Sequence, residues 1–248
     1  MKKATEALVI WEHKTGEADR VISLLTPEGV VSAYARGSLK PGGKLTSATA
    51  MLGYSDFELA EGRNMYTVAE ASPILRFARL SANMADYALA CCFCELVRLH
   101  APSDSGAAKF LTLTLSALHL LSETDKPRAL IKSVFEIKTL SEAGYSPDLS
   151  SCASCGGEAG EGCCFDSSGG NLLCKSCASR LGLPLNCPPG ALSALRYIVE
   201  APASRAFSFS LSESSLKALS ALSEAYVRRW TEHPLPTLDF YRSIADGG

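Results

Sequence analysis

Two pairs of cysteines have the spacing of metal-binding turns. Cys152 and Cys155 form one C-x-x-C pair, Cys174 and Cys177 form a second, and residues 156 to 173 lie between the pairs. Two thiolates three positions apart on a tight turn can face one ion, and a second such turn completes a tetrahedron of sulfur ligands. The spacing therefore predicts a structural Zn²⁺ site. Because four thiolates leave no coordination position for water, a catalytic role for this metal is not expected.

Other interpretations of these cysteines are open from the sequence alone. The pairs could form disulfides or hold iron, and the neighbouring Cys163, Cys164 or Cys187 could replace one of the four ligands. A thioredoxin-like redox pair would need a βαβ setting, whereas these pairs lie in a segment rich in glycine and serine. Residues 163 to 174 have the pattern of a short hairpin, and its second strand would deliver Cys174.

Composition places the chain among globular proteins. It has 248 residues, 47% of them hydrophobic, which is enough for one large domain or several small ones. The net charge of −2 does not by itself indicate a nucleic-acid binder. The amino terminus lacks the apolar core of a signal peptide, and no apolar run reaches the length of a membrane span. We therefore expect a cytoplasmic protein with no membrane partner, whose cysteines are reduced or metal-bound.

Residues 1–80 have the pattern of five short strands. The predicted strands cover 7–11, 20–26, 30–36, 54–59 and 65–71, with turn residues between them. Five short strands of this kind suit a small closed barrel. The oligonucleotide-binding (OB) barrel is one such fold and the SH3-like barrel is its rival, and the strand pattern alone does not separate them.

The charge distribution in this part of the chain suggests a phosphate contact. No acidic residue lies between Glu28 and Asp56, and the window contains a loop rich in glycine and lysine. Cations on such a loop can bind phosphates without reading bases, although an ordinary solvated loop has the same composition. The candidate DNA-contacting residues are Arg36, Lys40 and Lys44, with Arg20, Lys14 and Arg63 from the rest of the predicted barrel.

Aromatic side chains on the predicted strands are a second candidate contact. Base stacking on aromatic rings is common in proteins that bind single strands, but aromatic residues on strands lie more often in the core. The rings concerned are Tyr34, Tyr54, Phe57 and Tyr66.

Helical periodicity begins after residue 80. Predicted helices cover 83–100, 105–122 and 126–143 before the cysteines, and 191–201 and 212–232 after them. Asp125 before Pro127 has the pattern of an N-cap. The cations Lys126, Arg128 and Lys132 at the start of the third helix suit a solvated face or a contact with an acidic peptide.

These patterns predict an α+β multidomain protein with a small five-stranded barrel, of the OB or the SH3-like kind, and a helical domain that carries an inserted four-cysteine zinc module. The expected borders are 1–80 for the barrel, 81–150 and 181–248 for the two parts of the helical domain, and 151–180 for the module.

Motifs of the common catalytic classes are absent from the sequence. It contains no phosphate-binding P-loop, no G-x-S-x-G elbow, no H-E-x-x-H helix and no dinucleotide fingerprint. Its four histidines are scattered, and no carboxylate pair has the pattern of an acid/base couple. An NAD-dependent deacylase would need a glycine-rich nucleotide fold and a catalytic histidine, which we do not find. We therefore expect a DNA-binding protein that is not an enzyme, with a zinc-ribbon transcription or translation factor as the alternative.

The sequence resembles the RecO family of bacterial recombination mediators along nearly its whole length. The most specific match is the run GYSPDL from Gly144 to Leu149, which leads into Cys152-x-x-Cys155-Gly156. Phe165, Gly169 and Gly170 precede the second cysteine pair as in that family. The strand–turn–strand stretch at the amino terminus and the basic loop after it also match, although they are less distinctive.

The resemblance implies an OB barrel, a helical domain and a zinc module. It also implies binding to single- and double-stranded DNA, annealing of complementary strands, and association with the nucleoid. The partners implied are RecR and the C-terminal tail of single-stranded-DNA-binding protein, which together allow the recombinase to be loaded onto gaps. The loop GSLKPGGK has fewer cations than the family suggests, so we expect the affinity for DNA to be modest without RecR.

Overall fold

Five strands in the amino-terminal part of the chain close into a barrel. The computed structural model describes residues 2–43, 45–160 and 162–245. The strands run in the order β1-β2-β3-β5-β4 around the barrel. The β3–β5 pair is parallel and the other pairs are antiparallel. This Greek-key closure is the OB topology, so the predicted fold class is confirmed and the SH3-like alternative is excluded. The strands are β1 Lys2–Thr15, β2 Asp19–Leu25, β3 Val30–Ala35, β4 Gly53–Ala60 and β5 Tyr66–Arg76.

Strand β1 is much longer than its apolar run because it pairs with two neighbouring strands. Its first half pairs with β4 from Lys2 to Leu8, and its second half pairs with β2 from Leu8 to Thr15. A bulge between Val9 and Trp11 lies near the change of partner. A bulge bends the strand and increases its twist, which allows one strand to take part in both halves of the barrel. The inward side chains form one apolar core: Ala7, Val9, Ile22, Leu24, Ala33, Ala35, Phe57, Leu59 and Val68.

Three helices belong to the same compact unit as the barrel, which contains the chain up to Thr124 and again from Pro236. They are α1 Met84–His100, α2 Ala108–Glu123 and α7 Pro236–Ala245, preceded by a 3-10 helix at Ala78–Ala82. Helix α1 packs against α7, α2 and β1. The side chain of Asn83 caps α1 by accepting hydrogen bonds from the N–H groups of Ala85 and Asp86.

Helix α7 was not predicted from the sequence. The segment is short and follows Pro234 and Pro236, so its periodicity is weak. In the structure the N–H and hydroxyl of Thr237 donate hydrogen bonds of 3.3 and 2.5 Å to the Glu95 carboxylate on α1. Leu238 and Tyr241 are buried. Tertiary contacts therefore stabilise this helix.

The second compact unit, Asp125–Leu235, combines three long helices with a small sheet. Helix α3 packs against both α5 and α6. The three short strands have the order β6-β8-β7 and are followed directly by α4. The elements are α3 Arg128–Glu142, β6 Asp148–Cys152, β7 Cys164–Asp166, β8 Asn171–Leu173, α4 Lys175–Arg180, α5 Pro189–Glu200 and α6 Glu213–Trp230.

The beginning of α3 differs from the sequence prediction. Its N-cap residue is Pro127, and no side chain accepts a hydrogen bond there. The predicted cap at Asp125 is therefore wrong. Pro127 already fixes a backbone angle that suits a helix start, so the helix begins without a side-chain cap. The predicted domain borders at residues 80, 150 and 180 remain predictions. The two compact units describe how the chain packs, and they do not test which parts of it fold separately.

Candidate metal centre and nucleic-acid interface

The four predicted ligands converge on one point. The Sγ atoms of Cys152, Cys155, Cys174 and Cys177 all lie within 4.8 Å of one another. Cys155 Sγ and Cys174 Sγ are 3.8 Å apart. Sulfurs about 2.3 Å from a central Zn²⁺ in a tetrahedron are separated by about 3.8 Å, so the spacing suits one ion. Within the described parts of the chain, these four form the only group of three or more ligand side chains this close together.

Two backbone turns hold the thiols in place. Cys152 ends β6, and its carbonyl accepts a hydrogen bond of 2.8 Å from the N–H of Gly156. The N–H of Cys152 donates a hydrogen bond of the same length to Gly157. Gly156 has φ of +70°, a conformation that favours glycine and allows this tight turn. On the other side Cys174 is the N-cap of α4 and Cys177 lies in its first turn, so the helix fixes their separation.

The surroundings of the thiols shift the pKa values of Cys152 and Cys155 in opposite directions. The backbone N–H of Cys174 is the main cause that lowers the pKa of Cys152 to about 6, with help from the N–H groups of Cys155 and Ser154. At Cys155 the N–H of Gly157 lowers the pKa, but hydrogen bonds with the other three thiols outweigh it and raise the pKa to about 11. Cys152 therefore ionises more readily than Cys155, and a cation would be needed to deprotonate all four together.

A guanidinium group supports the cluster from outside. Arg180 Nη2 donates hydrogen bonds to Cys177 Sγ at 3.5 Å and to Ser154 Oγ at 3.1 Å. A positive donor next to a thiolate offsets part of the negative charge that four sulfurs bring to a divalent ion. Arg180 thus links the two turns of the site and was not singled out by the sequence pattern.

The other cysteines of this region lie outside the ligand set. Cys164 is buried in a small apolar cluster beside Cys152 and Cys177. Cys163 and Cys187 pair with each other in an isolated antiparallel bridge. The ten cysteines all lie in the described parts of the chain and none of them forms a disulfide, so that alternative finds no support in the structure. The arrangement favours the predicted four ligands over a substitution by Cys163, Cys164 or Cys187.

The barrel register brings several predicted DNA-contacting residues to neighbouring strand ends. Lys14 on β1 lies opposite Arg20 on β2, and Arg20 lies opposite Ala35 on β3. Arg36 follows Ala35 directly. Lys14 and Arg36 are both exposed. Two of the predicted cations therefore lie at the same end of the β1–β2–β3 ribbon.

One further cation joins this end through the loop after β3, and another lies away from it in the turn before β5. Ala33 pairs in parallel with Tyr66, so the exposed turn that contains Arg63 lies toward the beginning of β3, away from the end that carries Arg36. The loop after β3 is tied to the β1–β2 turn by a hydrogen bond of 2.8 Å from the N–H of Leu39 to the carbonyl of Ala18. This loop carries the exposed Lys40. Lys44 lies outside the described residues.

Asp19 anchors the same loop. Its carboxylate accepts a hydrogen bond of 2.6 Å from the N–H of Gly37 and another from the hydroxyl of Tyr34. These two donors, followed by the positive charges of Arg36 and Lys40, lower the pKa of Asp19. The carboxylate therefore stays charged at neutral pH and holds the start of the cationic loop against β2.

Outward-facing rings lie between these cations. His13, Val21, Tyr34 and Thr67 form one row across four strands, and the neighbouring positions Ile22 and Ala33 point into the core. Because side chains alternate across a strand, the row faces outward.

Trp11 lies on the same face of β1 as His13. Their rings stack with centroids 5.9 Å apart and an angle of 10° between planes. The guanidinium carbon of Arg98, on α1, lies 5.8 Å from the Trp11 ring centre. The stacked pair of Trp11 and His13 was not predicted from the sequence. The available signal was their i, i+2 spacing, which places two side chains on the same face of a strand. Of the rings that were predicted to stack, Phe57 is instead buried in the barrel core.

Arg20 does not belong to the exposed set, and its predicted DNA contact is wrong. It is 8% exposed, and its Nη1 donates to Thr46 O and Thr49 Oγ1, both at 3.2 Å. Its Nε lies 3.4 Å from the carboxylate of Glu12. The side chain therefore closes the barrel end beneath the segment that follows β3, and a phosphate cannot reach it.

Lys132 is likewise not the partner contact that the sequence predicted. It is 3% exposed, and its Nζ lies 2.7 Å from Glu136 and 2.9 Å from Glu224. Ser223 donates a hydrogen bond of 2.6 Å to Glu136. The cation therefore stabilises the α3–α6 pair from inside and is not available to an acidic peptide. Of the other two predicted cations, Lys126 is half-buried and Arg128 is exposed.

The comparisons with known proteins cover both compact units. The family model described as Recombination protein O N terminal matches residues 1–77, and the model described as Recombination protein O C terminal matches residues 82–239. The DNA repair protein RecO of Acetivibrio thermocellus is 35% identical over 241 residues, which cover 97% of this chain and 96% of the relative. That of Heliobacterium modesticaldum is 36% identical over 204 residues, 79% of this chain and 72% of the relative.

A third relative extends the match with lower identity. The DNA repair protein RecO of Symbiobacterium thermophilum is 29% identical over 243 residues, which cover 96% of both chains. Among the described residues, no helix combines the length and apolar character needed to cross a bilayer. Since the two family models together span almost the whole sequence and the Acetivibrio thermocellus relative matches over nearly its full length, the chain belongs to the RecO family of DNA repair proteins.

Proposed function

We propose that this chain is a non-catalytic recombination mediator that binds DNA on the outer face of its barrel. The observation that carries the proposal is the placement of exposed cations on both sides of the row from His13 to Tyr34, with Lys14 and Arg36 at one end of the β1–β2–β3 ribbon and Arg63 in the turn before β5. Cations on either side of such a row suit a phosphate backbone, and the rings between them suit unstacked bases. The outer face of the second and third strands is also where OB folds bind oligonucleotides.

The same proposal assigns Zn²⁺ to the four-cysteine site. A tetrahedral set of four sulfurs suits zinc or iron, and a closed site on two C-x-x-C turns is typical of structural zinc. The metal would supply folding free energy to a small module that has little apolar core of its own. Its ligands would be Cys152, Cys155, Cys174 and Cys177.

The wider role follows from family membership. We infer that the protein anneals complementary strands and, together with RecR, helps to load the recombinase onto DNA coated by single-stranded-DNA-binding protein. It would act on single- and double-stranded DNA in the cytoplasm, at the nucleoid. For the acidic tail of single-stranded-DNA-binding protein, Lys126 and Arg128 remain the proposed contacts after the correction of Lys132. A transcription or translation factor is disfavoured, because both halves match the models of one DNA repair family.

The DNA-binding face is tested by reversing its exposed charges. The triple variant Arg36→Glu, Lys40→Glu and Arg63→Glu should bind a fluorescently labelled single strand at least about tenfold more weakly at low salt, because phosphate contacts provide much of the affinity. The loss should be similar for strands of unrelated sequence, since phosphates carry no base information. Fluorescence anisotropy measures the affinity, and strand annealing is followed on the same samples.

The matched control makes the same charge change elsewhere. Arg205, Lys217 and Arg229 are exposed cations of the second compact unit, and their reversal to Glu should leave the affinity within about twofold. Equal losses in the two triple variants would show that only net charge matters. They would remove the barrel face from the proposal.

A further inference from the structure

Cys163 and Cys187 face each other in a short antiparallel bridge that the metal site does not use. The N–H of Cys163 donates to the carbonyl of Cys187 at 3.2 Å, and the N–H of Cys187 donates to the carbonyl of Cys163 at 3.0 Å. Residues that exchange both hydrogen bonds have Cα atoms about 5.5 Å apart. Disulfides form between Cα atoms about 4.4 to 6.8 Å apart, so the backbone already holds the two residues at bonding range.

The side chain of Cys163 also faces Cys187. The Cys163 thiol donates a weak hydrogen bond of 3.6 Å to the carbonyl oxygen of Cys187. A hydrogen bond from the Cys187 thiol is the main cause that lowers the pKa of Cys163, and the positive charge of Arg196 adds to it. The same hydrogen bond raises the pKa of Cys187. Cys163 is therefore the thiol of the pair that ionises more readily and Cys187 the weaker acid, an asymmetry that suits attack by one sulfur and resolution by the other.

We propose that Cys163 and Cys187 are a redox-active pair that a hydroperoxide converts into a disulfide. The Cys163 thiolate attacks one oxygen of hydrogen peroxide and the O–O bond breaks. With one proton taken up, this gives a sulfenic acid at Cys163 and one water. The Cys187 thiol then attacks that sulfur and a second water leaves. Two thiols lose two electrons and two protons in total, and the peroxide is reduced to two waters.

Access to the pair runs through the segment between α4 and α5. Residues 181–186 are all exposed, although Cys163 and Cys187 themselves are 0% and 1% exposed. Local opening of this exposed segment would admit a molecule as small as a hydroperoxide. The new bond would close the chain between 163 and 187 into a loop that contains Cys174 and Cys177. It would leave all four metal ligands in place, so the module would gain a covalent constraint without losing its ion.

Peptide mapping of the full-length, zinc-loaded protein tests the proposal. After treatment with hydrogen peroxide, alkylation and trypsin, cleavage at Lys138, Lys175, Arg180 and Arg196 places Cys187 alone in peptide 181–196. Most of this peptide should be recovered linked to peptide 139–175, and fragmentation should place the bond on Cys163. Dithiothreitol should release it. Free zinc, followed with a chromogenic chelator, should stay near the untreated level.

Variants separate this pair from its neighbours. Cys163→Ser should abolish the linked peptide, whereas Cys164→Ser should keep it. Since Cys163 is buried and its variant could misfold, the fragmentation of the wild-type linked peptide decides the site by itself. Three results would overturn the proposal: peptide 181–196 fully alkylated after oxidation, a bond from Cys187 to any cysteine other than Cys163, or zinc released in step with the linkage. Because no step uses DNA or the metal, failure here would leave the proposed function untouched.

Discussion

At the scale of single residues, burial decides what each cation does. Arg20, Arg36 and Lys132 are equivalent in the sequence as positive charges near apolar runs. In the structure Arg36 is exposed at a strand end, Arg20 closes the barrel beneath Thr46 and Thr49, and Lys132 lies between two carboxylates. A buried cation is stable only when its partners compensate its lost hydration. Position relative to the core therefore separates binding residues from structural ones.

The Lys132 network gives a stability prediction. Lys132→Met should lower the free energy of unfolding of the second unit by about 3 kcal/mol or more, because Glu136 would stay buried without a cation and Glu224 would keep only Arg228, at 3.2 Å. Lys217→Met, on the exposed face of α6, should change it by less than about 0.5 kcal/mol. Denaturant titration followed by Trp230 fluorescence, in a Trp11→Phe background, measures both. Adding Glu136→Gln to Lys132→Met should restore part of the loss, and a double variant less stable than the single one would contradict this account.

The Asp19 anchor gives a pH prediction. Its pKa lies below its ordinary value because Gly37 N–H and the Tyr34 hydroxyl donate to its carboxylate. A carboxylate with a depressed pKa stabilises the fold above its unfolded-state pKa of about 3.9, and this contribution is lost as the pH falls through the folded-state value. NMR titration of the carboxyl carbon should give a midpoint below about 3.9. Tyr34→Phe should move it upward, and an unchanged midpoint in that variant would refute the anchoring role of Tyr34.

At the scale of elements, the small sheet and α4 depend on the cysteine turns. Strands β7 and β8 have three residues each, too few to be stable alone. They are held to α6 by Tyr226, whose ring packs edge-on against Phe165 of β7 with centroids 5.5 Å apart, and by Trp230, whose indole donates to Ser167 O at 3.0 Å. Trp230 therefore reports directly on the turn between β7 and β8.

Metal removal should unfold this part of the chain and leave the barrel. A strong chelator should shift the Trp230 fluorescence and abolish hydrogen-exchange protection in residues 148–180. Amides of β1 to β5 should stay protected, because a structural zinc contributes on the order of 10 kcal/mol to its own module only. Returning zinc should restore both signals. Protection of 148–180 that survives complete metal removal would mean that the protein folds this sheet without an ion.

At the scale of the whole molecule, DNA affinity has to arise from local charge. The net charge is −2, so the chain as a whole is not attracted to DNA, and the proposed binding would depend on the exposed cations of the barrel. With Lys14, Arg36, Lys40 and Arg63 as the phosphate contacts, the logarithm of the affinity for a single strand should fall against the logarithm of salt with a slope of about −3. Anisotropy titrations across a salt series measure the slope. A slope near zero would exclude phosphate contacts, and a much steeper one would require cations outside this set.

The sequence by itself determined the features that depend on short spacing. The two C-x-x-C turns place their sulfurs by local geometry, so the spacing predicted Cys152, Cys155, Cys174 and Cys177 as a group. The structure then separated this group from Cys163, Cys164 and Cys187. The five strands were found because alternation and turn residues are local signals. The bounds of the strands were not found from the sequence. The first half of β1, for example, is strand only because it pairs with β4.

Only the tertiary structure decided the properties that depend on distant neighbours. The strand order excluded the SH3-like barrel, the packing of α6 against α3 buried Lys132, and the contact of Thr237 with Glu95 secured α7. The bridge between Cys163 and Cys187 joins residues that no sequence motif connects. The physical reason is the same in each case: burial, ion pairing and strand pairing are set by residues far apart in the chain, and a local pattern contains no information about which of them will meet.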